Sequence, residues 1–237
     1  VALQPALFGN TTYMWLPGAG TTVSIAWGTT WTARNAGTAA AQAHPTKAST
    51  NAITSMSRAT FGTGTTTTGS SGIQSTNTVA WRGNSAGLGG WFFHARFAVE
   101  TYLSDIQVFI GLSALNAAIT ADMSTVNNSI GLCKDTGDTT WQLLERNAGT
   151  FTKTSTGLST GGTEILDFTM FAAPNSSEVT CRLVNAVTGT VYVDNVVLNT
   201  TLPVNTTFLY AHAQIKSVTG TTAKLLALNR LYIESDL

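Results

Sequence analysis

The sequence predicts an all-β protein folded as a jelly-roll-like antiparallel β-sandwich. Threonine supplies 42 of the 237 residues, and with valine, isoleucine and aromatic residues it favours strands over helices. Residues 91–99 alternate apolar and mixed side chains with a period of two, which indicates a strand with one buried face. Such a strand needs a second sheet to cover its apolar face.

The N-terminal 80 residues are the less regular part of the chain. Residues 22–27 have the composition of a strand, and residues 51–56 can form a helical turn. The Gly/Thr/Ser-rich stretch 62–72 is typical of a loop or an irregular arm. We therefore expect residues 1–80 to form an arm that packs on a neighbouring subunit, and residues 81–237 to form the sandwich domain.

About nine strand-like runs succeed one another after Trp81, which suits a two-layer sandwich. Turn-forming pairs such as Pro174-Asn175 and Thr188-Gly189 separate them. The predicted strands are 91–99, 106–112, 129–133, 141–146, 165–172, 178–185, 192–198, 208–218 and 223–234.

The first of these strands has two unlike faces. The predicted dry face consists of Trp91, Phe93, Ala95, Phe97 and Val99. The predicted mixed face consists of Phe92, His94, Arg96, Ala98 and Glu100.

The last two predicted strands, 208–218 and 223–234, are expected to pair as a long hairpin around Gly220 in the middle of a sheet. Both faces of the final strand are substantially apolar. One face would meet the other sheet, and the second would meet a neighbouring subunit or an overlying N-terminal arm. On this pattern we expect a homotrimer.

Composition excludes several classes of partner. Only 10% of the residues are charged and the formal net charge is zero, so we expect no nucleic-acid binding and no attraction to anionic lipid. No apolar run approaches the ~20 residues that span a bilayer, so membrane insertion is not expected. The opening VALQPALFGN lacks the basic region of a signal peptide.

The two cysteines, Cys133 and Cys181, lie in strand-like runs and lack the spacing of a metal site. We expect buried free thiols in preference to a disulfide, because burial is the common fate of isolated cysteines.

Residues 83–87, GNSAG, match the G-x-S-x-G motif of hydrolases letter for letter. That motif requires a helix after the serine, whereas here more glycine and then a strand follow. We interpret Ser85 as a turn hydroxyl and expect no nucleophile.

Two pairs of carboxylates could support hydrolysis of a glycan: Asp135 with Asp138, and Glu234 with Asp236. The first pair is equally consistent with a turn in which each aspartate binds backbone amides, and a calcium site there is a minor alternative. The histidines His44, His94 and His212 have no metal-ligand spacing, and His94 is expected to make a structural hydrogen bond. We predict no metal, no cofactor and no enzyme activity.

The six tryptophans are the remaining positive signal, because an exposed ring can stack on the apolar face of a sugar. Trp81, Trp91 and Trp141 adjoin turns and are predicted to be structural. Trp15, Trp27 and Trp31 lie where no strand periodicity buries them, and they are the predicted glycan-binding residues.

Residues 81–97 consist of W-R-G-N-S-A-G-L-G-G followed by an aromatic strand that ends in A-R-F. This segment resembles a pattern, W-R-G-N-A/S-A-G-L-G-G with an aromatic strand and A-R-F, that recurs in structural appendage proteins of tailed bacteriophages, described as tail-fibre or head-fibre-like. Residues 102–105 and the surroundings of Cys133 depart from the family pattern. Further matching segments are NAITSMSR (51–58), VFIGLS (108–113), GLCKDTGDTTWQ (131–142) and LYIESD (231–236).

The resemblance implies a virion surface protein, trimeric, assembled in the bacterial cytoplasm, with other virion proteins as partners. We expect it to attach to host surface polysaccharide without catalysis, through weak contacts that multivalency strengthens. Two alternatives stay open: a purely structural fibre, adaptor or capsid decoration protein, and a glycan-degrading spike.

Overall fold

A computed structural model describes residues 11–18, 25–65, 67–101, 104–160, 164–219 and 222–236. Two antiparallel β-sheets pack face to face across these residues. The predicted all-β sandwich is therefore confirmed. Residues 22–24 and Gly220, which belong to predicted elements, lie outside the described residues.

Sheet A contains nine of the described strands. Seven of them lie side by side in the order β14-β13-β12-β7-β16-β1-β2. Of the remaining two, β5 pairs with the half of β16 that β1 leaves unpaired, and β4 pairs with the other edge of β5. The strands of sheet A are β1 (Thr11–Leu16), β2 (Ile25–Trp27), β4 (Ala40–Ala43), β5 (Ala59–Gly62), β7 (Trp91–Thr101), β12 (Leu166–Ala172), β13 (Val179–Asn185), β14 (Val191–Leu198) and β16 (Leu225–Ser235).

Sheet B contains seven described strands, in the order β11-β10-β9-β8-β15-β6-β3. They are β3 (Trp31–Ala33), β6 (Ser70–Ser75), β8 (Ile106–Ser113), β9 (Ser129–Lys134), β10 (Thr140–Asn147), β11 (Thr150–Ser159) and β15 (Tyr210–Ser217). A short helix α1 (Ala52–Ser55) and a 3-10 helix η1 (Met123–Thr125) interrupt the strands.

The main core lies between the sheets, and β7 supplies its centre. Phe93 and Phe97 are fully buried, whereas the alternate residues of the same half of the strand are only partly buried, as the period of two predicts. Phe97 packs edge-on against Trp141 of sheet B, with 5.7 Å between ring centroids. This aromatic pair joins the two layers directly.

Strands from the N-terminal 80 residues belong to both sheets of the sandwich. β1 pairs with β16, and β6 pairs with β15, so residues on both sides of position 80 share one core. The stretch 62–72, expected to be a loop or arm, contains the end of β5 and the start of β6. Gly62 lies in β5 and Gly72 lies in β6, so part of this stretch belongs to the sheets.

The predicted hairpin of the last two strands is wrong. β15 lies in sheet B between β8 and β6, whereas β16 lies in sheet A between β7 and the strands β1 and β5. These two strands, although consecutive in the chain, therefore lie in different layers. Turn chemistry around position 220 is compatible with either connection, so it could not distinguish them.

Segments of the same chain cover the outer apolar faces of the sheets. α1 places Ile53 against Ala98 and Ala227 on sheet A. The predicted helical turn at 51–56 is confirmed, because the Asn51 side chain caps α1 by accepting a hydrogen bond from the Thr54 amide at 2.9 Å. On sheet B, residues 114–128 cover Phe109 and its neighbours. The doubly apolar pattern of the central strands thus has an explanation within one chain.

The glycine-rich segment before β7 forms a tight corner with no helix. Gly83 has φ of 88°, and a Cβ added there would lie 1.8 Å from the Leu88 carbonyl oxygen, so only glycine fits. The Ser85 carbonyl accepts a hydrogen bond from the Leu88 amide at 3.1 Å. The interpretation of Ser85 as a turn residue is confirmed.

The cysteines lie in different sheets. Cys133 belongs to β9 and Cys181 to β13, and both are buried free thiols, as predicted. Burial raises the pKa of both thiols, that of Cys181 to about 12.

Neither of the short helical segments seen in the described ranges has the length and apolar character needed to cross a bilayer.

Candidate functional site

The three tryptophans predicted to bind glycan have different environments. Trp15 is only 1% exposed and packs against Phe61 in the core, so its ring cannot stack on a ligand in this structure. Trp31 is partly buried and donates a hydrogen bond from Nε1 to the Met14 carbonyl oxygen at 3.2 Å. Trp27 is 65% exposed on β2 and presents a free ring face to solvent. Of the three, Trp27 has the exposure that stacking requires.

The tryptophans predicted to be structural pack against other parts of the chain. Trp91 and Trp141 lie in the main core. Trp81 stacks on Phe208 with a centroid separation of 5.2 Å and donates from Nε1 to the Asp236 carboxylate at 3.2 Å.

The carboxylates Asp135 and Asp138 lie together in the turn between β9 and β10. Asp135 accepts hydrogen bonds from the amides of Met123 (2.7 Å) and Ser124 (3.3 Å), and Asp138 accepts one from the Asp135 amide at 2.8 Å. The Lys153 ammonium lies 3.2 Å from Asp135 and 2.7 Å from Asp138. The turn interpretation is confirmed, and Lys153 supplies the positive charge that a cation would bring.

Glu234 and Asp236, the second predicted carboxylate pair, accept hydrogen bonds from two different aromatic side chains. Glu234 accepts a hydrogen bond from the Tyr232 hydroxyl, and Asp236 accepts the one from Trp81. Glu234 also lines a small groove of about 120 Å³ beside Phe92 and Phe171 on the outer face of sheet A. Within the described part of the chain, no cluster of three His, Cys, Asp or Glu side chains could hold a metal ion.

On the same outer face, His94 and Arg96 converge on Asp167. His94 Nε2 lies 3.3 Å from the carboxylate, and Arg96 donates two hydrogen bonds at 2.7 and 2.6 Å. Burial would raise the pKa of Asp167, but the hydrogen bonds from Arg96 and His94 outweigh it and hold that pKa well below its usual range. The predicted structural hydrogen bond of His94 is confirmed, with Asp167 as the partner.

A larger cleft opens where four segments meet at one end of the sandwich. We call this cleft of about 620 Å³ the end cleft. The segments are the β7–β8 connection, the β9–β10 turn, the end of β11 and the segment after β15. Its lining residues are Ser104, Asp105, Thr136, Gly137, Asp138, Thr139, Ser159, Thr160 and Thr219.

Asp105 is a carboxylate of the end cleft that three donors hold through one oxygen. Its Oδ2 accepts hydrogen bonds from Lys224 Nζ at 2.8 Å and from the amide and hydroxyl of Thr219 at 3.0 and 3.1 Å. Among the described residues, no hydrogen bond falls on Oδ1. Partial burial opposes ionisation, but Lys224 and Thr219 together lower the pKa of Asp105. An ionised, oriented carboxylate therefore has one oxygen that can accept from a ligand.

Two lysines, Lys134 and Lys153, hold the segments that surround the end cleft. The fully buried Lys134 donates from Nζ to the carbonyl oxygens of Ser104 (3.1 Å), Ile106 (3.0 Å) and Asp135 (3.0 Å). It thereby ties the β7–β8 connection to the β9–β10 turn. Lys153 holds Asp138 from the side of β11. Because the backbone below the cleft is held by charged donors, the lining side chains keep a defined arrangement.

The end cleft suits a polyhydroxylated ligand. Eight of its nine lining residues carry a hydroxyl or a carboxylate group. Hydroxyls both donate and accept hydrogen bonds, and carboxylates accept them, so the lining can match the hydroxyls of a sugar in either sense.

Comparisons with known proteins identify the fold. No family model matches the chain, and no curated protein matches it in sequence. A protein of unknown function from Shewanella oneidensis MR-1 superposes with a TM-score of 0.62 at 10% identity, over 95% of this chain and 86% of that one.

Two lectin-related structures superpose comparably. Peanut lectin gives a TM-score of 0.61 at 8% identity, over 95% of this chain and 97% of that one. Arcelin-5 of Phaseolus vulgaris, a lectin-like defence protein, gives 0.59 at 8% identity, over 96% and 98%. At these identities the similarity shows the fold alone: this chain has a two-sheet β-sandwich like that of peanut lectin and arcelin-5.

Proposed function

We propose that this chain is a non-catalytic glycan-binding protein that uses the end cleft to attach a bacteriophage virion to the surface of its host. The observation that carries the proposal is the cleft lining, in which eight of nine residues carry hydroxyl or carboxylate groups. The sandwich shared with peanut lectin and arcelin-5 supports a carbohydrate ligand. The resemblance to phage appendage segments supports a fibre or appendage in the virion as its location.

Binding at this cleft would depend on Asp105 and the surrounding hydroxyls. The open oxygen of Asp105 accepts from a sugar hydroxyl, and Ser104, Thr139 and Ser159 complete a hydrogen-bonding surface. An open cleft of this kind binds weakly, because solvent competes for each hydrogen bond. In a homotrimer, three clefts would bind one polysaccharide surface together and gain strength through effective concentration.

The electrostatics of the cleft favour binding over hydrolysis. A glycosidase needs one carboxylic acid with a raised pKa to protonate the leaving group. Here the pKa of Asp105 is lowered, and Asp138 is paired with Lys153.

We expect host polysaccharide incubated with the purified protein to keep its chain length. Shortened chains on gel filtration would require the glycan-degrading alternative.

Filling the end cleft tests the binding site. Thr139 is exposed and lines the cleft, so Thr139→Trp should fill it without disturbing the core. On a bacterial glycan array, we expect the strongest signal of the unaltered protein to fall about tenfold, since ligand hydrogen bonds worth roughly 1.4 kcal/mol are lost. Thr206→Trp, at an exposed threonine outside the cleft lining, is the control and should bind normally.

Equal loss in both variants, or none in either, would exclude the end cleft as the glycan site. Absence of any binding by the unaltered protein to the array or to whole cells would favour a purely structural role.

The structural alternative, a fibre, adaptor or decoration protein, rests on the outer face of sheet A. Phe171 and Val197 lie in one row across β12, β13 and β14 and are 51% and 44% exposed. Thr180 lies between them, and two exposed apolar side chains on one face suit contact with another virion protein. Light scattering at micromolar concentration should give the mass of a trimer, and a monomer mass would remove the multivalent mechanism.

A further inference from the structure

Residues 114–128, here called the sheet-B loop, cross the outer face of sheet B and are held there by buried side chains. Gln214 Oε1 accepts a hydrogen bond from the Ile119 amide at 3.0 Å, and Ser70 donates to the Ile119 carbonyl oxygen at 2.8 Å. His212 Nε2 lies 2.9 Å from the Leu115 carbonyl oxygen. These contacts fix the outgoing arm of the loop.

The returning arm is fixed as firmly. Asp135 accepts from the amides of Met123 and Ser124, and Arg146 donates to the Ser124 carbonyl oxygen at 2.8 Å and to Asn127 Oδ1 at 3.0 Å. Buried polar side chains bind backbone groups on both arms of the loop. The sheet-B loop is therefore a preorganised surface.

A crevice of about 500 Å³ lies between the two arms, and all eleven of its lining residues belong to the sheet-B loop. Seven of them are apolar and mostly small, including Ala114, Ala118 and Val126. The other four are two threonines and two asparagines. We call this feature the loop crevice. Its volume falls within the usual range for small-molecule sites, roughly 300–1,000 Å³.

The two asparagines have fixed orientations. Asn127 Oδ1 accepts from the Arg146 guanidinium, and Asn128 Oδ1 accepts from the Ala148 amide at 3.2 Å. Because guanidinium and backbone N–H groups can only donate, the partner atoms must be the amide oxygens. Each asparagine therefore turns its NH₂ group away from these partners. In the described part of the chain, neither NH₂ group has a hydrogen-bond acceptor.

We propose that the loop crevice binds the acetamido group of an N-acetylated saccharide. An acetamido group combines a methyl, a carbonyl acceptor and an N–H donor. The methyl would pack on the apolar lining, the carbonyl would accept from the NH₂ groups of Asn127 and Asn128, and the N–H would donate to the Thr120 hydroxyl. The crevice supplies all three partners in one rigid segment.

The lining distinguishes this ligand from simpler ones. A purely apolar ligand would leave the asparagine donors unpaired, and an unsubstituted glucan has neither the methyl nor the carbonyl. An anion would require a cation, and none of the eleven lining residues is charged. The acetamido specificity rests on the loop crevice, whereas its attachment to a saccharide rests on the proposed function.

Chitotriose and cellotriose make a matched pair of probes, since they share one backbone linkage and differ in the acetamido groups. By isothermal titration we expect chitotriose to bind at least about tenfold more tightly than cellotriose. Equal affinities would overturn the proposal. Tighter binding of N-acetylalanine methylamide than of chitotriose would assign the crevice to peptides and overturn the saccharide assignment.

The isosteric variants Asn127→Asp and Asn128→Asp test the donors without removing the structural contacts. An aspartate oxygen still accepts from Arg146 or from the Ala148 amide, so the folded loop is retained, while the NH₂ donors are lost. Each variant should lower chitotriose affinity about tenfold with an unchanged unfolding midpoint. Asn84→Asp, at an exposed turn outside the crevice, is the control.

The Thr139→Trp variant distinguishes this proposal from the end cleft. Chitotriose affinity should be unaffected by Thr139→Trp and reduced by Ala118→Phe, which fills the loop crevice. If Thr139→Trp abolishes chitotriose binding and the two aspartate variants do not, the acetamido proposal fails while the end cleft stands. If array binding is insensitive to Thr139→Trp but chitotriose binding persists, the end cleft fails and the loop crevice stands.

Discussion

Phe97→Ala is expected to lower the free energy of unfolding by about 3–5 kcal/mol, the range for removing a large buried aromatic side chain. Phe97 is 0% exposed and packs edge-on against Trp141 of the opposite sheet. The truncation would leave a cavity at the one aromatic contact that joins β7 to β10, and the surrounding strands cannot close it without shifting both sheets. Urea unfolding followed by tryptophan fluorescence measures the loss.

Phe171→Ala is the matched control, because it makes the same chemical change one strand away on the outer face. Phe171 is 51% exposed, so its truncation should cost less than about 1 kcal/mol. Similar losses for the two variants would contradict the assignment of the two faces of sheet A.

The alternation in β7 could be predicted because it arises from local geometry. Successive side chains of a strand point to opposite faces, so a buried partner sheet leaves a period of two in the sequence. Phe93 and Phe97 meet that expectation. The capped turn at α1 was predictable for the same reason, since Asn51 and Thr54 are close in sequence.

Strand partners could not be predicted with the same certainty. β15 and β16 adjoin in sequence, yet they lie in different sheets, because their partners come from distant segments such as β6 and β7. The second apolar face of β16 indicated either a contact with a neighbouring subunit or an overlying N-terminal arm. In the structure, α1 and the sheet-B loop cover such faces, and these segments carry no sequence signal of where they pack.

The threonine-rich β11 (Thr150–Ser159) had no prediction as a strand, although its composition favours one. It lies at the edge of sheet B and is largely exposed, so it lacks the apolar alternation that marks buried strands. Hydroxyl side chains keep an exposed edge soluble without leaving a hydrophobic pattern.

The end cleft was beyond prediction because four separate segments build it. The sequence predicted Asp138 as one member of a carboxylate pair with Asp135. The other carboxylate that lines the cleft is Asp105, 33 positions before Asp138 in the chain. Asp105 is held by Lys224, and no spacing rule relates residues so far apart. Besides the predicted carboxylate pair, the departure of residues 102–105 from the phage pattern was a second sequence signal near this site. The expectation of exposed aromatic rings pointed instead to Trp15, Trp27 and Trp31, and none of them lines this cleft.

The stability of the protein should fall by about 2 kcal/mol between about pH 7.5 and about pH 5 because of His212. His212 is fully buried beneath the sheet-B loop, where its Nδ1 has no partner among the described residues. Burial and the nearby charge of Arg34 outweigh the hydrogen bond to the Leu115 carbonyl and lower the pKa of His212 from 6.5 to about 4.

The direction of this change in stability with pH follows from proton uptake at His212. Between pH 6.5 and pH 4 the unfolded chain binds a proton at this histidine and the folded chain does not, so acidification favours unfolding. The lowered pKa of Asp167 acts only at lower pH, because its carboxylate is ionised in both states above its ordinary value of 3.8. The two contributions therefore occupy different pH ranges.

His212→Gln should remove most of this pH dependence, whatever its effect on stability at neutral pH, because glutamine does not titrate and can still donate to the Leu115 carbonyl. Urea midpoints measured at half-unit intervals of pH give the slopes of the variant and of the unaltered protein. An unchanged slope in His212→Gln would mean that the buried ring accepts a proton in the folded state. The protonated His212 would then carry a positive charge beneath the sheet-B loop. Its surroundings of Gln74, Gln214 and backbone carbonyls supply no negative charge to neutralise it.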